Sequence, residues 1–137
     1  MITYYYKFIE KLNVDGLDDI KIDLKLPSVK TKKYETIIKD GRVEIISNDF
    51  KPYYLYDFVV DVDGNLYIGT SHYKLSNKAE IIKAAGELKI NDSGKIIYLN
   101  NQSGHYKPTK QHLDSILKIF KEYDLTQNDL EVQYKFI

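Results

Sequence analysis

Three turn signatures, Asp40-Gly41, Asp63-Gly64 and Asn91-Asp92-Ser93-Gly94, each stand between runs of alternating β-branched and aromatic residues. Glycine and its Asp or Asn neighbours supply the positive φ that tight connections need, so this pattern is a strong short-range hairpin signal. The predicted pairs are residues 34–39 with 42–46, 54–62 with 65–70, and 87–90 with 95–99. A chain with three consecutive hairpins in its middle is committed to a largely antiparallel sheet.

The flanks fit around that sheet. Residues 2–12 and 17–26 read as two further strands about a turn at Asp15-Gly16, the second with Ile20, Ile22, Leu24 and Leu26 on one face and Lys21, Asp23 and Lys25 on the other. Pro27 and Ser28 end it, and Lys30, Lys32 and Lys33 read as a solvated connection. Residues 71–83 read as a loop with one or two helical turns: Ala79, Ile82 and Lys83 tolerate a helix that Ser76-Asn77 would cap. Thr109, after Pro108, is an N-cap, and Leu113, Ile116, Leu117 and Phe120 fall on one helix face that should lie on the sheet. Residues 130–137 alternate again and read as a final strand, a partner for the N-terminal one. The expected fold is α+β: a mostly antiparallel sheet or partly open barrel of consecutive hairpins, one C-terminal helix packed on it and a final strand. A single domain spanning residues 1–137 is expected.

Composition narrows the function classes. No apolar run approaches the roughly 18 residues a membrane span needs, and the first residues lack a signal-peptide pattern, so a cytoplasmic protein without membrane contact is expected. There is no cysteine, which removes disulfides and zinc thiolate sites. Twenty basic residues balance twenty acidic ones, which argues against duplex nucleic acid as a partner. Arg42 is the only arginine, so an anion would be met by lysines or backbone N–H groups. The 13 tyrosines suit strand packing first and also offer stacking faces. Asp61-Val62-Asp63-Gly64-Asn65 superficially suggests a calcium loop, but it lacks the regular oxygen spacing and closing glutamate, so it reads as a turn.

The chemically unusual stretch runs from Ala84-Ala85-Gly86-Glu87-Leu88 to Ser103-Gly104-His105-Tyr106-Lys107-Pro108-Thr109. It delivers a Ser-Gly pair and a His-Tyr pair to the start of the helix. The candidate ligand-binding residues are Ser71, His72, Glu87, Ser103, Gly104, His105, Tyr106, Lys107 and Thr109. His72 and His105 are the candidates for acid–base work, since titratable groups in loops are enriched at sites. The alternative for His105 is structural, its ring bonding a hairpin carbonyl. The histidines lack an i, i+4 metal spacing, and neither a metal nor a cofactor is expected.

These residues carry a family resemblance. From about residue 53 to 129 the order is an aromatic and aliphatic strand, Leu66-Tyr67-Ile68-Gly69, a His-centred segment, Ala84-Ala85-Gly86-Glu87-Leu88, a glycine turn, Ser103-Gly104-His105-Tyr106-Lys107-Pro108-Thr109 and a helix. This block resembles the shared domain of the plant IQ-motif-containing calmodulin-binding proteins of the IQM type and of related bacterial and fungal proteins. The family segment that typically begins His-Ser-Ser-Phe is here Ser71-His72-Tyr73-Lys74, which keeps the histidine and not the serines after it. The calmodulin-binding motif of the plant proteins lies outside the shared domain and has no counterpart here, so the resemblance implies neither calmodulin binding nor an activity.

The functional expectation is a small non-catalytic domain that binds or sequesters a nucleotide-type or phosphorylated small molecule. Tyrosines would stack a planar ring while lysines and the N–H groups of residues 109–111 meet a phosphate. The Lys-, Ile-, Asn- and Tyr-rich composition also suits a phage-type antagonist of host immune signalling. Two alternatives stand beside it: a small hydrolase or transferase using His72 and His105, and a protein-interaction domain forming a homo-oligomer through sheet edges.

Overall fold

The computed structural model describes residues 8–9, 11–23 and 31–135. In chain order the strands are β1 (Phe8–Ile9), β2 (Ile20–Lys21), β3 (Lys33–Tyr34), β4 (Thr36–Lys39), β5 (Arg42–Ile45), β6 (Tyr56–Val60) and β7 (Leu66–Gly69). A single helical turn, α1 (His72–Leu75), follows, then β8 (Ile81–Ile82), β9 (Ala84–Ile90), β10 (Ile96–Asn100), the helix α2 (Lys110–Glu122) and β11 (Thr126–Gln133). Among the described residues the main sheet has six strands in the order β11-β10-β9-β6-β7-β3, beside a three-stranded sheet β1-β4-β5 and a two-stranded ribbon β2-β8. The fold is α+β, mostly antiparallel and open, with a helix on the sheet and a strand at the end.

All three hairpins form. In the β4–β5 turn Asp40 and Gly41 both have positive φ (50° and 70°), the conformation whose twist matches flanking strands. At the β6–β7 turn Asp61 is wholly engaged in its own loop. Its Oδ1 accepts the N–H groups of Asp63 (3.0 Å) and Asn65 (2.9 Å), and its Oδ2 accepts Asn65 Nδ2 (2.9 Å) and the Tyr67 hydroxyl (3.2 Å). The oxygen-rich run is a side-chain-pinned turn.

Strand alternation divides the core between the two faces of the main sheet. Phe58, Val60, Leu88, Ile90 and Leu99 pack on one face with Leu113, Ile116 and Phe120 of α2, where the Phe58 and Phe120 rings meet edge to face at 5.9 Å. Val59 and Ala85 point to the other face, into a second cluster with Ile20, Leu75, Ile82 and Tyr106. Each large apolar side chain so buried contributes about 1.5–3 kcal/mol relative to exposure. Among the described residues no helix is long and apolar enough to cross a membrane.

Four local expectations are corrected. The final strand runs over Thr126–Gln133 and pairs with β10 in parallel, while the described part of the N-terminal run, β1, pairs with β4. A helix between β10 and β11 returns the chain to the starting end of the sheet, which dictates parallel pairing. Tyr34 does not belong to the first hairpin: it pairs with Ile68 of β7 and so ties the small sheet to the large one. The short helix precedes Ser76, which is its C-cap, and Ile81–Ile82 is a strand paired with β2. Of the described residues 17–23, only Ile20–Lys21 form a strand, extended by a bridge from Ile22 to Tyr106. The expectations for residues 2–7, 24–30 and 136–137 lie outside the described residues.

Candidate functional site

On the face away from α2, β6 and β9 place Asp57 and Glu87 directly opposite one another in antiparallel register. Two like charges across a strand pair repel unless the surroundings compensate them. Here they do. Asp57 Oδ2 accepts the Ser71 N–H at 3.0 Å and lies 3.5 Å from His72 Nδ1. Glu87 Oε1 accepts Asn100 Nδ2 at 3.0 Å, and Asn100 Oδ1 accepts the Glu87 N–H at 2.9 Å. Asn100 thus continues the β9–β10 ladder with its side chain and holds the glutamate at its end.

His72 is anchored from both sides. Its Nε2 lies 2.7 Å from the carbonyl oxygen of Gly86, which can only accept, so Nε2 carries a hydrogen. Nδ1 faces Asp57, and a proton on either group serves that contact. Burial, opposed by the charges of His72 and His105 and by the Ser71 N–H and reinforced by Glu87, holds the Asp57 carboxyl above the usual carboxylate range. A quarter of the Asp57 side chain remains open to solvent, so the cluster can be reached.

Two polar atoms in this neighbourhood are buried without a hydrogen-bond partner: Ser71 Oγ and His105 Nε2. Ser71 joins β7 to α1 with φ 68° and ψ 97°, an unfavourable backbone conformation for a residue with a side chain. Its N–H is thereby turned onto Asp57 and its hydroxyl is left free. His105 is only 9% exposed, stacks on Tyr73 with ring centroids 5.6 Å apart, and acts electrostatically on Asp57. A buried polar atom left unmatched costs about 1–3 kcal/mol, and both of these belong to residues that act on Asp57.

The sequence candidates separate into two groups. Ser71, His72, Glu87 and His105 gather around Asp57. The bonds of Ser103, Tyr106, Lys107 and Thr109 go elsewhere. Ser103 Oγ accepts the Tyr106 N–H within its own turn at 3.2 Å. Tyr106 is fully buried, its hydroxyl donating to the Ala79 carbonyl (2.5 Å) beside Ser76 Oγ (2.9 Å). Lys107 is ion-paired with Asp23 at 3.2 Å, and Gly104 is exposed with nothing near its missing Cβ. Thr109 caps α2 reciprocally with His112, whose N–H reaches Thr109 Oγ1 (3.2 Å) while its Nδ1 accepts the Thr109 N–H (2.9 Å). The helix terminus read as a phosphate seat is therefore partly occupied by its own cap.

Asp57 is the central residue that sequence reasoning passed over. Its signal was an acid inside an otherwise apolar strand, Tyr56-Asp57-Phe58-Val59-Val60, a place where a carboxylate needs a reason. Asn100, another polar residue at a strand end, was missed in the same way. Among the described residues no three of His, Asp and Glu are grouped to hold a metal ion. No family model, curated protein or solved structure matches this chain.

Proposed function

We propose that this chain is a small-molecule-binding domain whose ligand inserts a polar group at the Asp57–His72–Glu87–His105 cluster. The observation that carries the reading is the pair of buried, unpartnered atoms, Ser71 Oγ and His105 Nε2, beside a carboxyl that is itself partly open. A nucleotide-type or phosphorylated compound remains the class proposed, with its polar edge inward and any phosphate outward, because two carboxylates disfavour an anion at the cluster itself. The family resemblance, a cytoplasmic setting and a role in sequestering a nucleotide signal belong to the same proposal, and the lack of cysteine suits a reducing compartment.

A hydrolase or transferase is the second reading, favoured by the Asp57–His72 pair next to a free serine hydroxyl. Both nitrogens of His72 are engaged, so acid–base work would fall to His105. The test is a thermal-shift screen of wild type and His105→Ala with nucleotides, cyclic nucleotides, ADP-ribose and sugar phosphates, followed by mass spectrometry of each mixture. A stabilisation present in wild type and lost in the folded variant, with the compound intact, supports binding. Conversion of the compound by wild type alone supports the second reading. No shift with any compound would overturn both.

A further inference from the structure

We propose that the cleft between β4 and β7 binds an amphipathic anion, its apolar body against Ile37, Ile46 and Leu66 and its anionic head on Lys33. This is a second site, which shares no residue with the Asp57 cluster and stands or falls apart from it. The cleft exists because the chain changes sheets here. Tyr34 pairs with Ile68 of β7, and two residues later Thr36 pairs with Ile45 of β5. The gap opened by that crossing is a cavity of about 520 Å³, walled by residues 33–38 on one side, by residues 65–67 on the other and by Ile46. Thr36 Oγ1 donates to the Leu66 carbonyl at 2.7 Å and holds the walls together. The Ile46 N–H donates to the Glu35 carbonyl at 3.2 Å, which fixes Ile46 at the wall with 59% of the residue exposed. Clefts of this size, mostly apolar with a few polar groups, are where small organic molecules bind.

The charge of the head group follows from Lys33. Its ammonium lies 4.0 Å from the centre of the Tyr67 ring and 3.3 Å from Asn77 Oδ1, and both Lys33 and Tyr67 line the cavity. Among the described residues no carboxylate lies within ion-pair distance of it. Asp61 attracts it from further off, because both Asp61 oxygens are taken up by their own turn and by the Tyr67 hydroxyl. Burial lowers the Lys33 pKa against that attraction, so the ammonium is partly stripped of water with no counter-ion in contact. An ammonium has three donors, and Asn77 takes one, which leaves capacity for an anionic oxygen. The residue as a whole stays exposed, so a ligand reaches it. Glu35, the other charge on the cavity wall, does not reverse the choice: it is exposed, and a carboxylate already in water gains little from an ion pair. A cation in the cleft would also meet Lys33 as a like charge.

The experiment is a calorimetric titration of the wild-type chain with octanoate, hexanoate, octanol and octylammonium, all below the concentrations at which they form micelles. Octanoate is expected to bind about tenfold more tightly than octanol, which lacks the charge, and about tenfold more tightly than hexanoate, which buries two fewer methylenes. Lys33→Met keeps the apolar stem and removes the charge, so it should bind octanoate about as weakly as wild type binds octanol, and Lys33→Arg should retain the affinity. Ile46→Ser, at an exposed position, should weaken octanoate and octanol alike. Thermal melts of each variant check that it is folded. Equal binding of octanoate and octanol by wild type, equal binding of octanoate by wild type and Lys33→Met, or a preference for octylammonium would overturn the anion assignment. His105→Ala should bind octanoate as wild type does, and a loss there would place the compound at the Asp57 cluster and overturn the second site. No binding of any of the four compounds would overturn it too.

Discussion

His72 Nε2 donates to the carbonyl oxygen of Gly86 at 2.7 Å, joining the single turn of α1 to the middle of β9 across the sheet face. Because that nitrogen is spent on the backbone, the other faces Asp57, and the imidazole acts as a fixed spacer between strand and acid. Removing it takes a donor from the Gly86 carbonyl and leaves the Asp57 carboxyl with the Ser71 N–H alone of these two contacts. His72→Ala is expected to destabilise the chain by about 1–3 kcal/mol, measurable as a drop of several degrees in Tm by calorimetry. An unchanged Tm would mean that water replaces the ring without cost.

Asp57 makes stability depend on pH with a defined sign. Burial, the largest effect, together with Glu87 raises its folded-state pKa above the ordinary 3.8, outweighing the opposing effects of His72, the Ser71 N–H and His105. The folded chain therefore holds this proton more tightly than the unfolded chain, and the resulting stability is fully present below about pH 4 and lost as pH rises through the folded value. Asp57→Asn stays neutral and can still accept the Ser71 N–H. Its Tm relative to wild type should climb from pH 4 to pH 7 in a series of thermal melts, and a difference that falls with pH would contradict the assignment.

Two glycines in the unusual stretch should respond in opposite ways. A Cβ on Gly86 would stand 1.9 Å from the Asn100 carbonyl oxygen and 3.0 Å from the Phe58 ring, so β9 and β10 would have to separate. Gly86→Ala is expected to cost at least the 1–3 kcal/mol typical of overpacking, at roughly the upper end. Gly104 meets nothing within 4 Å, and Gly104→Ala should stay within about 0.5 kcal/mol of wild type. Urea denaturation of both variants measures the contrast.

Tyr106 and Thr109 hold scaffold rather than ligand. Tyr106→Phe takes its hydroxyl donor from the Ala79 carbonyl, while Ser76 Oγ keeps its bonds to the Tyr73 carbonyl and the Ala79 N–H, and should cost about 1–3 kcal/mol. Thr109→Ala removes half of a capping box and should cost about 1 kcal/mol. Ligand affinity, measured below both melting transitions, should be unchanged in each.

The elements whose information is local were legible in the residues themselves. Asp40-Gly41 determines its hairpin because both residues tolerate the positive φ that the turn requires, and Thr109 with Leu113, Ile116 and Phe120 determines α2 because cap and period act within four turns. Partner choice was less legible. Nothing in residues 126–133 says that their neighbour is β10 rather than the N-terminus, since alternation specifies a face and not an edge. The site divides the same way. His72 and His105 stood out as titratable groups in polar segments, whereas Asp57 acquires its meaning from the register that puts it opposite Glu87, a relation between residues 30 apart. The string Ser103 to Thr109 was conspicuous for its residue types, yet Ser103 is consumed by its own turn, Tyr106 by the Ala79 carbonyl, Lys107 by Asp23 and Thr109 by the cap of α2.

The most direct test is a proton–nitrogen correlation spectrum of the histidine rings, recorded while ADP-ribose is added to the wild-type chain. The account predicts that His105 Nε2 moves on saturation, that His72 Nε2 stays bonded to Gly86, and that His112, committed to the cap of α2, does not respond. Resonances that all remain in place, or a change confined to His112, would contradict a binding site at Asp57, His72, Glu87 and His105.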